Sequence, residues 1–205
     1  MEDYETIKPI IDGLEIKKTG KVLNIGCGNS ELSEKMYDDG YVNNYSIDIC
    51  ENVIEDMKLR NKNRKGIIFE TMDVMNMSYP DEYFDLIIDK STIDALLCGD
   101  HSFINTAKMT KEVSRVLNTG GIYCIISYGT PENRVFHLER DHLGFDVKIF
   151  TIKREESDEE EKLHYAYIST KKEEANENMN NFDLVIKNLE REELEEDEEE
   201  EDEEK

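Results

Sequence analysis

Apolar residues recur along this chain with two alternating periods. Ile7, Ile10, Ile11 and Leu14 fall at helical spacing before Gly20, and Lys21 to Ile25 then reads as a short apolar strand closed by Gly26. The order repeats. The pattern predicts a helix over Glu31 to Tyr37, a strand over Tyr45 to Ile49, a helix over Asn52 to Arg60 and a strand over Ile67 to Glu70. After a turn at Pro80, Asp81 and Glu82, the run Phe84 to Ile88 has the near-continuous apolar character of a strand buried on both faces of a parallel sheet, and it ends at Asp89. Two helices follow, Thr92 to Leu97 and Ser102 to Leu117, the second stopped by Asn118, Thr119, Gly120 and Gly121. Ile122 to Ser127 is the next strand.

Beyond Pro131 the alternation breaks. Phe145 to Ile152 and Lys162 to Thr170 read as strands joined only by an acidic run, for which an antiparallel hairpin is the simplest connection. The expected fold class is therefore α/β: a doubly wound, seven-stranded, mostly parallel sheet with a C-terminal antiparallel hairpin, Rossmann-like in outline. Phe182, Val185, Ile186 and Leu189 predict one short amphipathic helix over 182–189. The acidic segment after it has too few apolar side chains to offset backbone ordering at about 1–2 kcal/mol per residue, and is expected to be disordered. Residues 1–172 read as the domain and 173–205 as a tail.

At 205 residues the chain holds one α/β domain. Its formal charge of −24 excludes a binder of nucleic-acid backbones, whose affinity comes from clustered Lys and Arg. Much of that charge is local, since residues 190–205 carry thirteen acids against Arg191 and Lys205. A basic protein partner is compatible with it. Cys27, Cys50, Cys98 and Cys124 form no paired motif, and His101, His137, His142 and His164 share no ligand spacing, so no metal site is expected. No stretch approaches the roughly 18 apolar residues of a membrane span, and a reducing, cytoplasmic setting is expected.

The candidate chemistry sits at the ends of consecutive strands. Asn24-Ile25-Gly26-Cys27-Gly28-Asn29-Ser30 joins strand to helix, where glycine lets backbone amides approach a ligand. The pattern lacks the third glycine of a dinucleotide fingerprint, and by itself it also fits a plain tight turn. Asp48, 22 residues after Gly26, ends the next strand, where an acid can accept from both hydroxyls of a ribose; it could equally cap the helix near Asn52. Asp73 and Val74 follow the third strand, placed to read an adenine edge, and Asp89 to Leu97 follow the fourth. Three strand ends bearing Gly, Asp and Asp point to one bound adenosine.

These segments, with Phe84-Asp85-Leu86-Ile87-Ile88-Asp89-Lys90-Ser91-Thr92-Ile93-Asp94-Ala95-Leu96-Leu97, resemble the class I S-adenosylmethionine-dependent methyltransferases. The similarity is greatest to the methyltransferase-like protein 13 branch and its relatives that methylate lysines of translation elongation factor 1-alpha. The resemblance implies S-adenosyl-L-methionine as cofactor, with Gly26, Asp48, Ile49, Asp73, Val74 and Lys90 in contact with it. It implies a protein substrate with an exposed lysine, possibly elongation factor 1-alpha. Ser91 stands where the branch usually has Gly. The resemblance also implies an aromatic segment folding over the methionine end of the cofactor; this chain begins just inside that segment and has no Trp. Asp89 and Asp94 are the acids expected to orient the accepting amine, although Asp94 also suits the polar face of a helix and Lys90 could pair with either acid. A small-molecule methyltransferase and a cofactor-binding interaction protein without catalysis are the alternative readings.

Overall fold

The most apolar run of the chain becomes the middle of the sheet. In the computed structural model, which describes residues 4–152, 163–173 and 182–203, β4 (Phe84–Lys90) lies between β1 (Lys21–Ile25) and β5 (Leu117–Ser127). Leu86, Ile87 and Ile88 are all fully buried there, as a strand covered by helices on both faces requires. With β2 (Asn43–Asp48), β3 (Ile67–Thr71), β6 (Phe145–Ile152) and β7 (His164–Lys171), the seven strands form one sheet ordered β3-β2-β1-β4-β5-β7-β6. The first five are parallel, whereas β7 runs antiparallel to both β5 and β6. The hairpin expected at the C-terminal edge is present. Its connecting acidic run, and Lys162 where the second strand was expected to begin, lie outside the described residues.

The period of two along each strand divides the core. Leu23, Ile25, Ile87, Tyr123, Ile125 and Tyr167 face one layer with Met109, Val113 and Val116 of α5 (Ser102–Val116). Val22, Leu86, Ile88, Cys124 and Ile126 face the other, with Ile7 and Ile11 of α1 (Tyr4–Gly13) and Leu32 and Met36 of α2 (Leu32–Asp38). α3 (Glu51–Arg60) covers β2 and β3 through Ile54 and Met57. α4 (Thr92–Leu97) follows β4, and the short α6 (Val135–Leu138) follows β5.

β5 starts five residues earlier than the pattern predicts. Leu117 pairs with Phe84, but the next pair is Ile122 with Leu86, so 118–121 bulge out of the ladder. Gly120 adopts a φ of +78°, and a Cβ on Gly121 would lie 2.8 Å from the Asn118 carbonyl oxygen. The two glycines that read as a helix stop therefore make a bulge inside a strand.

α7 (Phe182–Glu203) begins where the sequence places a helix and continues beyond Leu189, in a stretch free of Gly and Pro and rich in good helix formers. Phe182 and Leu189 are buried against Ile104 and Ala107 of α5, and the Lys111 ammonium lies 4.0 Å from the centre of the Phe182 ring.

The segment between β5 and β6 buries two imidazoles. Burial, reinforced by the Arg140 charge, pushes His137 down to about 3 and His142 down to about 4. Between those values and the ordinary 6.5, the unfolded chain takes up protons that the folded chain refuses. The pair therefore stabilises the fold fully above about pH 6.5, and this contribution is lost progressively as the pH falls through that window. Ring proton shifts of both residues are expected to stay flat from about pH 7.5 to 5; titration near 6.5 by either one would show a solvated ring.

Candidate active site

Four parallel strands end along one edge of the sheet, and the loops that leave them build the site. After β1, Gly26 has a φ of +56°, and a Cβ there would lie 2.3 Å from the Thr92 hydroxyl oxygen. That hydroxyl donates to the Ile25 carbonyl at 2.9 Å, locking the start of α4 against the glycine loop. Here glycine is required both by conformation and by space. Gly28 also has a positive φ, +52°, but a Cβ there would meet nothing within 4 Å. Its role is conformational, and it leaves the crevice open.

Asp48 joins two of these loops. Its Oδ2 accepts from the Gly28 amide at 2.8 Å, and its Oδ1 from the Cys50 amide at 2.9 Å. The carboxylate is thus oriented before any ligand arrives, with lone pairs left on both oxygens. Asp73, after β3, is fixed in the same manner, its Oδ1 accepting from the Met75 amide at 2.8 Å. The Met72 amide donates to the Asp48 carbonyl, which holds the two acid-bearing loops side by side.

Two cavities open on this edge. One of about 370 Å³ has Asp48, Ile49, Met72, Asp73, Val74 and Leu96 in its wall. The other, of about 430 Å³, lies over the glycine loop and is lined by Asn24, Cys27, Gly28, Ser30 and Lys35, with Tyr4, Glu5 and Ile7 of α1 covering it. Gly26 and Lys90 belong to both. All six positions assigned to the cofactor by resemblance thus face one divided crevice. Ile49 is 71% exposed, an unusual cost for an apolar side chain that a flat ligand laid across it would offset.

The sequence does not point to α1 as part of the site. Tyr4 donates to Asp39 at 2.6 Å and Lys8 pairs with the same carboxylate, so α1 is clamped beside α2 above the glycine loop. Thr92, the buttress of Gly26, was equally illegible, because its partner lies 67 positions away.

Asp89 and Asp94, the acids expected to orient the accepting amine, are both buried. Asp89 is fully buried, accepting from the amides of Thr92 and Ile93 and from the Tyr123 hydroxyl at 2.8 Å. Burial pushes its carboxyl up to about 7, against the pull of these donors. It starts α4 and ties it to β5. Asp94 is only 2% exposed and forms a buried ion pair with Arg134 at 2.8 Å, while the Ser127 hydroxyl also donates to it. Neither acid is among the described residues that line the two cavities. Lys90 pairs with neither of them.

Ser91 has a φ of +68°, in the left-handed region that favours glycine. The position at which the sequence departs from the branch pattern is therefore one at which a side chain strains the turn. Ser91→Gly is expected to raise the unfolding free energy by up to about 1 kcal/mol, measured by urea denaturation. A loss of stability would show that the serine makes a compensating contact.

A glycine loop after β1, an acid ending β2, a second acid after β3 and an antiparallel β7 inserted between β5 and β6 together define a class I methyltransferase fold. Comparison with known proteins agrees. A family model described as a methyltransferase domain matches residues 16–141, and the chain belongs to that family. It is 41% identical over 143 residues to the eEF1A lysine and N-terminal methyltransferase of Homo sapiens, covering 67% of this chain and 20% of that protein. It is 29% identical over 154 residues to the EEF1A lysine methyltransferase 4 of Bos taurus, covering 71% of this chain and 60% of that one. The chain thus spans about a fifth of the first relative's length and three fifths of the second's. Among solved structures, a SAM-dependent methyltransferase from Methanosarcina mazei superposes with a TM-score of 0.68 at 18% identity, covering 80% of this chain and 97% of that one. Family and fold imply S-adenosylmethionine as the methyl donor. No described helix is long and apolar enough to cross a membrane.

Proposed function

We propose that residues 1–172 bind S-adenosylmethionine across the divided crevice and transfer its methyl group to a lysine of a protein substrate, with elongation factor 1-alpha as the favoured target. The observation that carries this reading is the convergence of Gly26, Asp48 and Asp73 on one edge of the sheet, each loop fixed by hydrogen bonds of its own. The relatives' names direct it toward a protein lysine.

In this reading Asp48 accepts from the ribose hydroxyls through the lone pairs its amide partners leave open. Ile49, Val74 and Leu96 supply apolar walls for a purine, and Asp73 an acceptor at its edge. The cavity beneath α1 takes the amino-acid end. When bound, the cofactor supplies an electrophilic methyl group. The accepting lysine must be neutral, which costs about 4.6 kcal/mol at pH 7 for an amine with a pKa near 10.4. With Asp89 and Asp94 engaged elsewhere, the acids lining the crevice are Glu5, Glu31, Asp48 and Asp73. The chain's charge of −24 favours encounter with a basic substrate, an attraction that weakens with salt. The four free thiols fit a reducing, cytoplasmic compartment.

A protein substrate also needs a surface on which to dock. Tyr128, Phe136 and Phe103 are 53%, 45% and 38% exposed, and Tyr128 directly follows β5 at the same edge of the sheet as the crevice. The Phe103 and Phe136 rings meet edge to face, with centroids 5.5 Å apart. Replacing Tyr128 and Phe136 by Ala is expected to lower kcat/KM for the protein substrate by about tenfold, with cofactor affinity unchanged. An unchanged kcat/KM would remove this face from the docking surface.

The decisive experiment incubates the protein with S-adenosylmethionine and purified elongation factor 1-alpha and maps any added methyl to a residue by mass spectrometry. Incorporation at a lysine supports the reading. No incorporation by a chain shown to bind the cofactor counts against this substrate.

A further inference from the structure

The connection between β3 and β4, residues 72–83, carries Asp73 and Val74 into the wall of the crevice and has no helix or strand of its own. Such a segment holds one shape only where it is tied down. Its near end is tied to β2, where the Met72 amide donates to the Asp48 carbonyl at 3.0 Å. Its far half is tied to α5. Glu112 and Arg115, one turn apart on that helix, take both backbone groups of Met77: Glu112 Oε2 accepts from the amide at 2.8 Å, and Arg115 Nη2 donates to the carbonyl at 2.8 Å. Arg115 Nη1 also donates to the Tyr79 carbonyl at 2.8 Å and to Asp81 Oδ1 at 2.7 Å. The two side chains brace each other, Nε and Nη2 of Arg115 lying 2.8 and 2.7 Å from the Glu112 carboxylate oxygens. Asp73 and Val74 thus lie on a short span, 72–77, held at both ends. We propose that Glu112 and Arg115 are positioning residues for the base of the cofactor: by fixing Met77 they hold Asp73 and Val74 where the pocket accepts a 6-aminopurine and rejects a 6-oxopurine. The inference rests on the cofactor site proposed above and goes beyond it, since neither residue is among those lining the two cavities.

The residue types suit this task. A guanidinium reaches two carbonyls and a carboxylate at once because its donors are fixed in one plane, whereas an ammonium is a single compact point of charge. The bonds inside the span are local: the Met75 and Asn76 amides donate to the side chain and carbonyl of Asp73 at 2.8 and 3.1 Å. They shape the turn around Asp73 without deciding where that turn stands against the sheet. Its two ends decide that. Asp48 is held by Gly28 and Cys50 and owes nothing to α5, so releasing Met77 leaves the ribose end of the site in place and loosens the base end. An acid within reach of the exocyclic amine of adenine accepts a hydrogen bond, but the same acid opposite the carbonyl oxygen of hypoxanthine faces another acceptor and loses its partner. That discrimination lasts only while the acid cannot move away.

The test is calorimetric titration of the full 205-residue chain with S-adenosylmethionine and with its analogue in which hypoxanthine replaces adenine, for the wild type, Arg115→Gln, Arg115→Lys and Glu112→Gln. The wild type is expected to prefer the adenine ligand by at least about tenfold. In each variant the preference should fall several-fold, chiefly because the adenine ligand weakens while the hypoxanthine ligand changes little. In Asp73→Ala the preference should already be lost, and adding Arg115→Gln should change it no further. Thermal melts identify any variant that does not fold, and three separate replacements keep the comparison open. Equal weakening of both ligands, with an unchanged ratio, would make the Glu112–Arg115 pair a purely structural tie and overturn the inference. So would a wild type that binds both ligands alike. If neither ligand binds the wild type, the cofactor site itself falls; binding with a ratio insensitive to these variants sinks only the positioning role.

Discussion

Asp48→Ala is expected to weaken S-adenosylmethionine binding by about 100-fold or more while leaving the chain folded. The carboxylate stands at the end of β2 with both oxygens aimed by backbone amides, from Gly28 on one loop and Cys50 on its own. Hydrogen bonds to a charged acceptor contribute about 1.5–3 kcal/mol each, and two ribose hydroxyls would be left without partners. The amides released by the substitution lie at a half-open crevice where water can replace the lost acceptor, so the cost to folding stays at about 1–2 kcal/mol. Asp48→Asn should fall between the two, since an amide oxygen can serve only part of the same set. Calorimetry measures the affinity and a thermal melt the stability. Wild-type affinity in Asp48→Ala would place the nucleoside elsewhere.

Arg134→Ala should have the largest effect on stability, a loss of about 3–5 kcal/mol in urea denaturation. Arg134 reaches Asp94 through both Nε, at 3.2 Å, and Nη2, at 2.8 Å, and its Nε also contacts the Ser127 hydroxyl. Gly129 makes room for it, because a Cβ there would lie 2.1 Å from the guanidinium carbon. Removing the arginine leaves the Asp94 carboxylate buried without a counter-charge, and that penalty exceeds what the intact pair contributes. The double variant Asp94→Ala, Arg134→Ala is accordingly expected to be less destabilised than the two single changes added together. A loss below about 1 kcal/mol in Arg134→Ala would mean that water reaches the pair. Cofactor affinity should fall too, because α4 carries both Asp94 and Thr92, the residue that buttresses Gly26.

The surroundings of Asp89 and Asp94 were not legible in the sequence, for one physical reason. Asp89 and Asp94 belong to a motif whose position after a sheet strand is legible, but the direction of a side chain is set by the period of two and by what packs above it. Asp89 points into the layer containing Tyr123, and its neighbour Lys90 points to the crevice. A shift of one residue separates a buried helix cap from an amine that lines the crevice. Arg134, which claims Asp94, lies 40 positions away, a separation that no local pattern reports. In the same way Gly120 and Gly121 read correctly as a break, but whether the break ends a helix or bulges a strand depended on the pairing of Leu117 with Phe84.

Local periodicity and residue chemistry by themselves determined the alternation of helices and strands, the antiparallel closing hairpin and the glycine and acid positions at three strand ends, because each rests on residue types and spacings read along the chain or on a single backbone requirement. Only the tertiary structure decided that α1 covers the glycine loop, that Thr92 wedges Gly26, that Asp94 is neutralised by Arg134 and that Lys90 lines both halves of the crevice. Those facts depend on which faces meet when the sheet closes, and burial of a charge or an amine is a property of the assembled neighbours rather than of the residue.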